Sequence, residues 1–87
     1  MDTFRIEWKS SAIRELRRLD RSIVPKVLAA VESLASSPYP VGSRKLTGVE
    51  NAFRIRIGDY RIIYEIHAGI LVLVIVRVRH RKDAYRT

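Results

Sequence analysis

The segment around Gly58 and Asp59 constrains the fold most, because apolar and polar residues alternate on both sides of it. Period-two alternation indicates β-strands, and a glycine at the first central position suits a two-residue type II′ hairpin turn. Such a turn sets the register of the two strands and places Arg56 opposite Arg61. Two like charges are therefore predicted to stand directly across from each other.

Periodicity and turn residues divide the rest of the chain into strands, helices and a loop. Residues 4–9 alternate as a strand does, and Ser10 or Ser11 can cap a basic amphipathic helix. A second helix begins near Ser22 and ends near Ser36, because Pro25 is tolerated only in a first turn. Residues 37–43 form a loop, and strands follow over 53–57, 60–67 and 70–79. We predict one α+β domain over residues 1–87, with two N-terminal helices on one face of a mainly antiparallel four-stranded sheet, in the order β-α-α-β-β-β.

The second turn decides which residues share a face of the sheet. If Ala68 and Gly69 form a two-residue turn, Arg61 faces Val76 in the last strand. The residues then predicted to share the face of Arg56 and Arg61 are Val72, Val74, Val76, Val78 and His80. This valine row is either an exposed apolar patch for a partner or ordinary sheet burial. The opposite face is apolar and suits the helices.

The charge balance points to an anionic partner. The chain has 17 lysines and arginines against 9 acidic residues, a formal net charge of +8 at pH 7. Such a surface attracts nucleic acid, anionic lipid or an acidic protein, and charge alone does not choose among them. A like-charged cross-strand pair costs a few tenths to about 1 kcal/mol, so Arg56 and Arg61 are expected to serve an anionic ligand rather than the fold.

Several classes of protein are disfavoured by what the sequence lacks. Without cysteine there is no disulfide, thiolate nucleophile or cysteine zinc site, and two histidines are too few for a metal cluster. We therefore expect no metal or other cofactor. The longest apolar run, residues 70–76, is far shorter than the ~20 residues of a membrane helix, and the N-terminus carries charges where a signal peptide is apolar. A soluble, cytoplasmic protein with no membrane partner is the expectation.

Three segments resemble the RelE branch of the RelE/ParE toxin superfamily. They are Lys45-Leu46-Thr47-Gly48, residues 53–64 with Gly58-Asp59-Tyr60-Arg61 at their centre, and residues 80–86, which begin with His80-Arg81. The resemblance implies the RelE-like fold. It also implies the toxin of a type II toxin-antitoxin system, which cleaves mRNA, typically in the ribosomal A site, and is neutralised by an antitoxin encoded beside it.

The resemblance also suggests site residues. Arg61 and Arg81 resemble the phosphate-binding arginines of the family, and Tyr85 resembles the tyrosine that stacks on or orients the nucleotide. Further basic positions predicted to bind RNA or phosphate are Lys45, Arg54, Arg56, Arg79 and Lys82. Some relatives carry lysines at positions 54 and 56, and others a glutamate base at position 44. The identity of the general base is therefore open.

The chemistry of RNA fits these residue types. RNA carries its own nucleophile, the 2′-hydroxyl, so a protein need only align it with the adjacent phosphate, move protons and stabilise the phosphorane. Arginine grips phosphate oxygens bidentately and stays protonated, which makes it a poor base. His80 is the histidine nearest the cluster, and we assign it general acid or base chemistry beside Arg61, Arg81 and Tyr85.

Three other interpretations of these residues remain open. A ParE-like inhibitor of DNA gyrase would have the same fold and act by protein binding, without needing the set Arg61, His80, Arg81 and Tyr85. A non-catalytic RNA-binding module would bind but not cut. The arginines could also be ordinary solvent-facing strand residues. The partners expected for the favoured reading are mRNA, the ribosome and an antitoxin whose acidic and apolar segment wraps the chain in a hetero-oligomer.

Overall fold

The computed structural model describes residues 3–80. Its helices and strands are β1 (Arg5–Trp8), α1 (Ser10–Arg17), α2 (Val24–Leu34), β2 (Arg44–Lys45), β3 (Ala52–Ile57), β4 (Tyr60–His67) and β5 (Val72–His80). A short 3₁₀ turn, Ala68–Ile70, joins β4 to β5. The predicted site residues Arg81, Lys82 and Tyr85 lie outside the described residues.

The strands form one sheet in the order β1-β5-β4-β3-β2. β1 runs parallel to β5, and the other neighbours are antiparallel. The predicted α+β architecture is confirmed, but the predicted count of four strands is wrong, because the sheet has five. The additional strand is β2, which pairs Arg44 with Arg54 and Lys45 with Phe53. Two residues are too few to show a period-two pattern, which is why the sequence did not predict this strand. A strand this short is held in its extended conformation by pairing with β3.

The hydrophobic core lies between the two helices and one face of the sheet. α1 contributes Ala12 and α2 contributes Val27, Val31 and Leu34, all nearly or fully buried. The sheet side of the core consists of Ile55, Ile62, Tyr64, Ile66, Leu73, Ile75 and Val78. Pro25 lies in the first turn of α2, where its missing N–H costs nothing. No helix among residues 3–80 is long and apolar enough to cross a bilayer.

The hairpin between β3 and β4 has the predicted register. Gly58 has a φ of 57°, the backbone conformation that the first central position of a type II′ turn requires. Arg56 is the direct partner of Arg61. The prediction made from the turn residues alone is therefore confirmed.

The turn between β4 and β5 differs from the prediction. The chain makes a 3₁₀ turn and passes through Leu71 at a φ of 54°, so that His67 pairs with Val72. An irregularity between Ile63 and Tyr64 then shifts the register by one more residue. Arg61 consequently faces Arg79, and the predicted partner Val76 is wrong. A β-bulge reverses which side chains of a strand face each side, since the period is two.

The shift breaks the predicted valine row. Val78 turns into the helix-facing core, where it is 2% exposed, and Val72 is 6% exposed on the other side of the sheet. Val74 and Val76 are half-buried. Ordinary sheet burial, rather than an exposed apolar patch, therefore accounts for these valines.

Candidate nucleic-acid interface

The sheet face that points away from the helices is lined with arginine. Cross-strand partners share a face, so the register assigns the residues of this arginine face directly. They are Arg44, Arg54, Arg56, Arg61, Arg77 and Arg79. Four strands contribute to it, which gives one surface of high positive charge from residues spread over 36 positions of sequence. Such a surface attracts polyanions.

Three of these arginines stand side by side across the sheet. Arg56 on β3 is the partner of Arg61 on β4, and Arg61 is the partner of Arg79 on β5. Because neighbouring strands lie about 4.8 Å apart, this arginine row spans about 10 Å from backbone to backbone. A single phosphate group is therefore within reach of more than one guanidinium.

A second row lies next to the first. Arg44 is the partner of Arg54, Arg54 is the partner of Ile63, and Ile63 is the partner of Arg77. A cleft of ≈ 270 Å³ opens between the two rows, lined by Gly42, Arg44, Arg54, Ile55, Arg56 and Arg61. Four arginines around one cleft make an anion-binding site of the kind that phosphate groups prefer.

Arg61 lies at the centre of the arginine row and is the most enclosed member. It is 8% exposed, and it is the one buried charged side chain among residues 3–80. Burying a charge costs free energy that the partners of the charge must offset. The position of Arg61 between Arg56 and Arg79 adds repulsion from two like charges. Its central and enclosed place in a row of arginines that borders the cleft makes Arg61 the strongest functional candidate.

A carboxylate from α1 contacts the edge of the arginine face. Glu15 of α1 accepts a hydrogen bond from the backbone N–H of Val78 at 2.9 Å through Oε1. Its Oε2 lies 3.2 Å from Nε of Arg79 and 3.5 Å from a terminal nitrogen of Arg77. One negative charge thus serves two of the six arginines, and Glu65, on the same side of β4, contacts His67 instead at 3.1 Å.

Two predicted residues lie on the other side of the sheet. His80 is the partner of Tyr60, and the two rings meet edge to face with centroids 5.3 Å apart. The prediction that His80 shares the arginine face is therefore wrong, because the bulge turns the end of β5 over. Lys45 is the partner of Phe53 and lines a separate cavity of ≈ 640 Å³ with Tyr39.

The loop that borders the cleft is held from the core. The hydroxyl of Tyr64 donates a hydrogen bond of 2.9 Å to the carbonyl of Pro38. Burial raises the pKa of Tyr64 to about 12, partly offset by a hydrogen bond with Ser43. The Tyr64 ring also stacks on Phe53, with centroids 6.1 Å apart. These contacts fix the loop that brings Gly42 to the edge of the cleft.

The structure brings together four of the residues predicted to bind RNA or phosphate: Arg54, Arg56, Arg61 and Arg79. Sequence reasoning missed Glu15, Arg44 and Arg77 as members of the same region. Glu15 could have been noticed as the one acidic residue of an otherwise basic α1. Arg77 shares a strand face with Arg79 by simple alternation. Arg44 stands where some relatives carry a glutamate base, but β2 is too short for alternation to place this residue on the arginine face.

Comparison with known proteins supports a specific family. Residues 6–85 match the family described as the ParE toxin of type II toxin-antitoxin system, parDE. Toxin RelG of Mycobacterium tuberculosis is 33% identical, over 95% of this chain and 97% of its own length. The fold superposes on the archaeal RelE-RelB complex of Pyrococcus horikoshii with a TM-score of 0.82, at 26% identity, covering 98% of this chain and 99% of that one. It also superposes on the RelBE2 toxin-antitoxin complex of Mycobacterium tuberculosis with a TM-score of 0.78, at 29% identity, covering 91% and 99%.

Proposed function

The chain belongs to the RelE/ParE superfamily of type II toxin-antitoxin toxins, in its RelE-like branch, and from this premise we propose that it is an endoribonuclease that cleaves mRNA on the translating ribosome without a metal ion. The observation that carries the proposal is the arginine row, Arg56, Arg61 and Arg79, with Arg61 buried at its centre. Three like charges in register oppose folding, whereas a phosphodiester in the cleft would be held by Arg56 and Arg61, with Arg79 beside Arg61 in the same row.

The arginine face suits the backbone of single-stranded RNA. Contacts between guanidinium groups and phosphates supply affinity without base specificity. The cleft between Arg44, Arg54, Arg56 and Arg61 would take the scissile phosphate or its neighbour. Sequence selection would then come from the ribosome, which presents the mRNA, and from residues beyond this face.

The proposed reaction uses the nucleophile that RNA carries. The 2′-oxygen attacks the adjacent phosphorus, a new O–P bond forms, and the bond to the 5′-oxygen of the next nucleotide breaks. The products are a 2′,3′-cyclic phosphate and a 5′-hydroxyl, with one proton removed from the 2′-oxygen and one delivered to the leaving oxygen. Arg61 and its neighbours stabilise the charge that develops on the phosphorane, where electrostatic stabilisation is worth most.

The proton-transfer groups follow from the sequence assignments. His80 stays the predicted general acid or base, and β5 directs it to the side of Tyr60, on the face of the sheet opposite the arginine row. Arg81 stays a predicted phosphate ligand, Lys82 a further basic contact and Tyr85 the predicted stacking ring.

An antitoxin is the proposed protein partner. Solved structures of the relatives include RelE bound to RelB. For this chain we propose a cognate antitoxin, encoded with it and present in the cytoplasm, whose acidic and apolar segment covers the arginine face in a hetero-oligomer. Charge complementarity favours such a partner, because the chain carries a net charge of +8.

Inhibition of DNA gyrase is the second candidate function. It is favoured by the match to the family described as the ParE toxin. A gyrase inhibitor would act by protein binding and would have no use for a buried arginine at a phosphate-sized cleft, so we rank it below RNA cleavage.

Expression in bacteria separates these functions. We would induce the native chain, Arg61→Gln, Arg81→Ala and the control Lys26→Gln, and map new mRNA 5′ ends in translated genes. We expect growth arrest with cuts for the native chain and the control, and neither for the two arginine variants. Arrest without cuts would reject the nuclease and favour gyrase. Binding of RNA without arrest or cuts would favour a non-catalytic module.

A further inference from the structure

Glu15 occupies the point where α1 meets the end of β5. β1 pairs with β5 from Val72 to Ile75, and the last bond of this edge runs from Lys9 N–H to the carbonyl of Ile75, at 2.9 Å. The chain then enters α1, which runs alongside the remainder of β5. There the N–H of Val78 donates to Glu15 Oε1 at 2.9 Å. A side chain of the helix thus continues the hydrogen bonding of the strand edge.

The second carboxylate oxygen of Glu15 holds the adjacent arginine. Nε of Arg79 lies 3.2 Å from Oε2, in a contact whose two side chains are 29% and 21% exposed. A terminal nitrogen of Arg77 lies 3.5 Å from the same oxygen, and that arginine is 41% exposed. The contact with Arg79 is therefore the shorter and the better shielded, and it uses one edge of the guanidinium.

The position of Arg79 needs such a contact. Its cross-strand partner is Arg61, so the two guanidinium groups repel each other across β4 and β5. A flexible arginine under this repulsion would swing away from the sheet. Because Glu15 engages Nε, it fixes the plane of the guanidinium and leaves the side opposite Nε to face an incoming anion.

We propose, resting on the function above, that Glu15 is a positioning residue which holds Arg79 in the arginine row for contact with the RNA phosphate. Its two oxygens have separate tasks: Oε1 secures the backbone of β5 at Val78, and Oε2 orients Arg79. The phosphate-binding surface is then a four-residue unit, Glu15 with Arg56, Arg61 and Arg79, in which the acidic member touches an arginine and not the substrate.

The test is Glu15→Gln beside Glu7→Gln. Glutamine keeps an oxygen that can accept the Val78 N–H but lacks the negative charge that holds Arg79. Glu7 is the matched control, because it loses the same charge from an exposed ion pair with Arg5, 2.8 Å long and on β1. The full chain would be made by cell-free synthesis, and thermal unfolding would be recorded for each variant so that rates are compared on folded protein.

Three readouts separate positioning from a merely structural role. The first is the NMR resonance of the Arg79 Nε–H, which we expect to move or broaden in Glu15→Gln and not in Glu7→Gln. The second is ribosome-dependent mRNA cleavage, where kcat should fall about 10- to 100-fold with a smaller change in KM, since misplacement of a positioned group costs about this much. The third is a double-mutant cycle with Arg79→Gln, in which Glu15→Gln should add less than about twofold to the loss.

The positioning role of Glu15 and the proposed nuclease activity can fail independently, and the readouts tell the two failures apart. An additive cycle, or a loss of activity that follows the loss of thermal stability, would show that Glu15 only supports the fold. If the native chain does not cut mRNA, the proposed nuclease fails, and positioning is judged on the Arg79 resonance and on binding of a labelled single-stranded RNA 12-mer. An unchanged resonance with unchanged RNA affinity in Glu15→Gln would then reject the positioning role.

Discussion

Arg61 on β4 and Arg79 on β5 are direct cross-strand partners, with Arg56 on the other side of Arg61. Each like-charged pair opposes folding by a few tenths to about 1 kcal/mol. Glu15 offsets part of this cost through its contact with Arg79 at 3.2 Å. The arrangement therefore carries a small free-energy penalty that binding of a polyanion would remove.

Arg61→Lys should reduce mRNA cleavage by about 10²-fold, the usual cost of removing one positioned donor to a developing negative charge. Lysine keeps the charge but lacks the planar fork that binds two phosphate oxygens at once. Single-turnover cleavage on programmed ribosomes measures the effect, with circular dichroism to show that the variant is folded. Cleavage by Arg61→Lys within about threefold of native would mean that only the charge at this position matters.

Arg79→Gln should weaken binding of a short single-stranded RNA and flatten its salt dependence. Each phosphate contact to a single strand contributes about 0.7 to the slope of log affinity against log salt concentration, so the slope should fall by about 0.7. Fluorescence anisotropy over a range of KCl concentrations gives the slope. Lys26→Gln is the control with the same loss of charge. Lys26 is an exposed residue of α2, the helix that packs on the sheet face opposite the arginines. An equal change in both variants would indicate a non-specific effect of net charge.

Tyr64→Phe should change how stability responds to alkaline pH. Because the pKa of Tyr64 is raised from 10.0 to about 12, the folded state favours the neutral phenol. The resulting stabilisation is fully present below pH 10 and is lost as the pH rises through 12, by about 2–3 kcal/mol for a shift of this size. Tyr64→Phe lacks this loss.

Urea unfolding measures the Tyr64 effect. At pH 8 the variant should be less stable by about 1 kcal/mol, because the hydrogen bond to Pro38 is missing. Between pH 10 and about 11.5 this difference should shrink or reverse. A difference that stays constant over the whole range would mean that the phenol titrates at its ordinary pKa.

Gly58→Ala should destabilise the hairpin that sets the arginine register. Gly58 has a φ of 57°, where an added Cβ costs about 1–2 kcal/mol. Gly69→Ala is the matched control, because its φ is not positive and an added Cβ there meets no atom within 4 Å. Urea denaturation should show the loss for Gly58→Ala, and no loss or a gain of up to about 1 kcal/mol for Gly69→Ala. Equal effects at both glycines would show that the turn conformation is not what matters.

The architecture and half of the site could be read from the sequence because local rules determine them. The turn at Gly58 and the alternation on both sides place Arg56 opposite Arg61, and both the register and the turn conformation agree. The apolar periodicity of the helices likewise predicts the layer that they cover. In each case the signal lies within a few residues of the feature that it determines.

Other parts of the site depend on contacts between distant segments. A 3₁₀ turn and a bulge in the β4–β5 pair have no periodic signal, yet together they bring Arg79 beside Arg61 and turn His80 to the other side. The short strand β2 exists only because β3 offers it a partner.

The sequence by itself determined the α+β fold, the β3–β4 hairpin and the basic character of one sheet face. Only the tertiary structure decided which arginines complete that face, because the choice depends on Val78 packing into the core and on the hydrogen bond of its N–H to Glu15, 63 residues away along the chain. Periodicity depends on residues that are close in sequence, whereas the position of a β-bulge depends on contacts between segments that are distant in sequence.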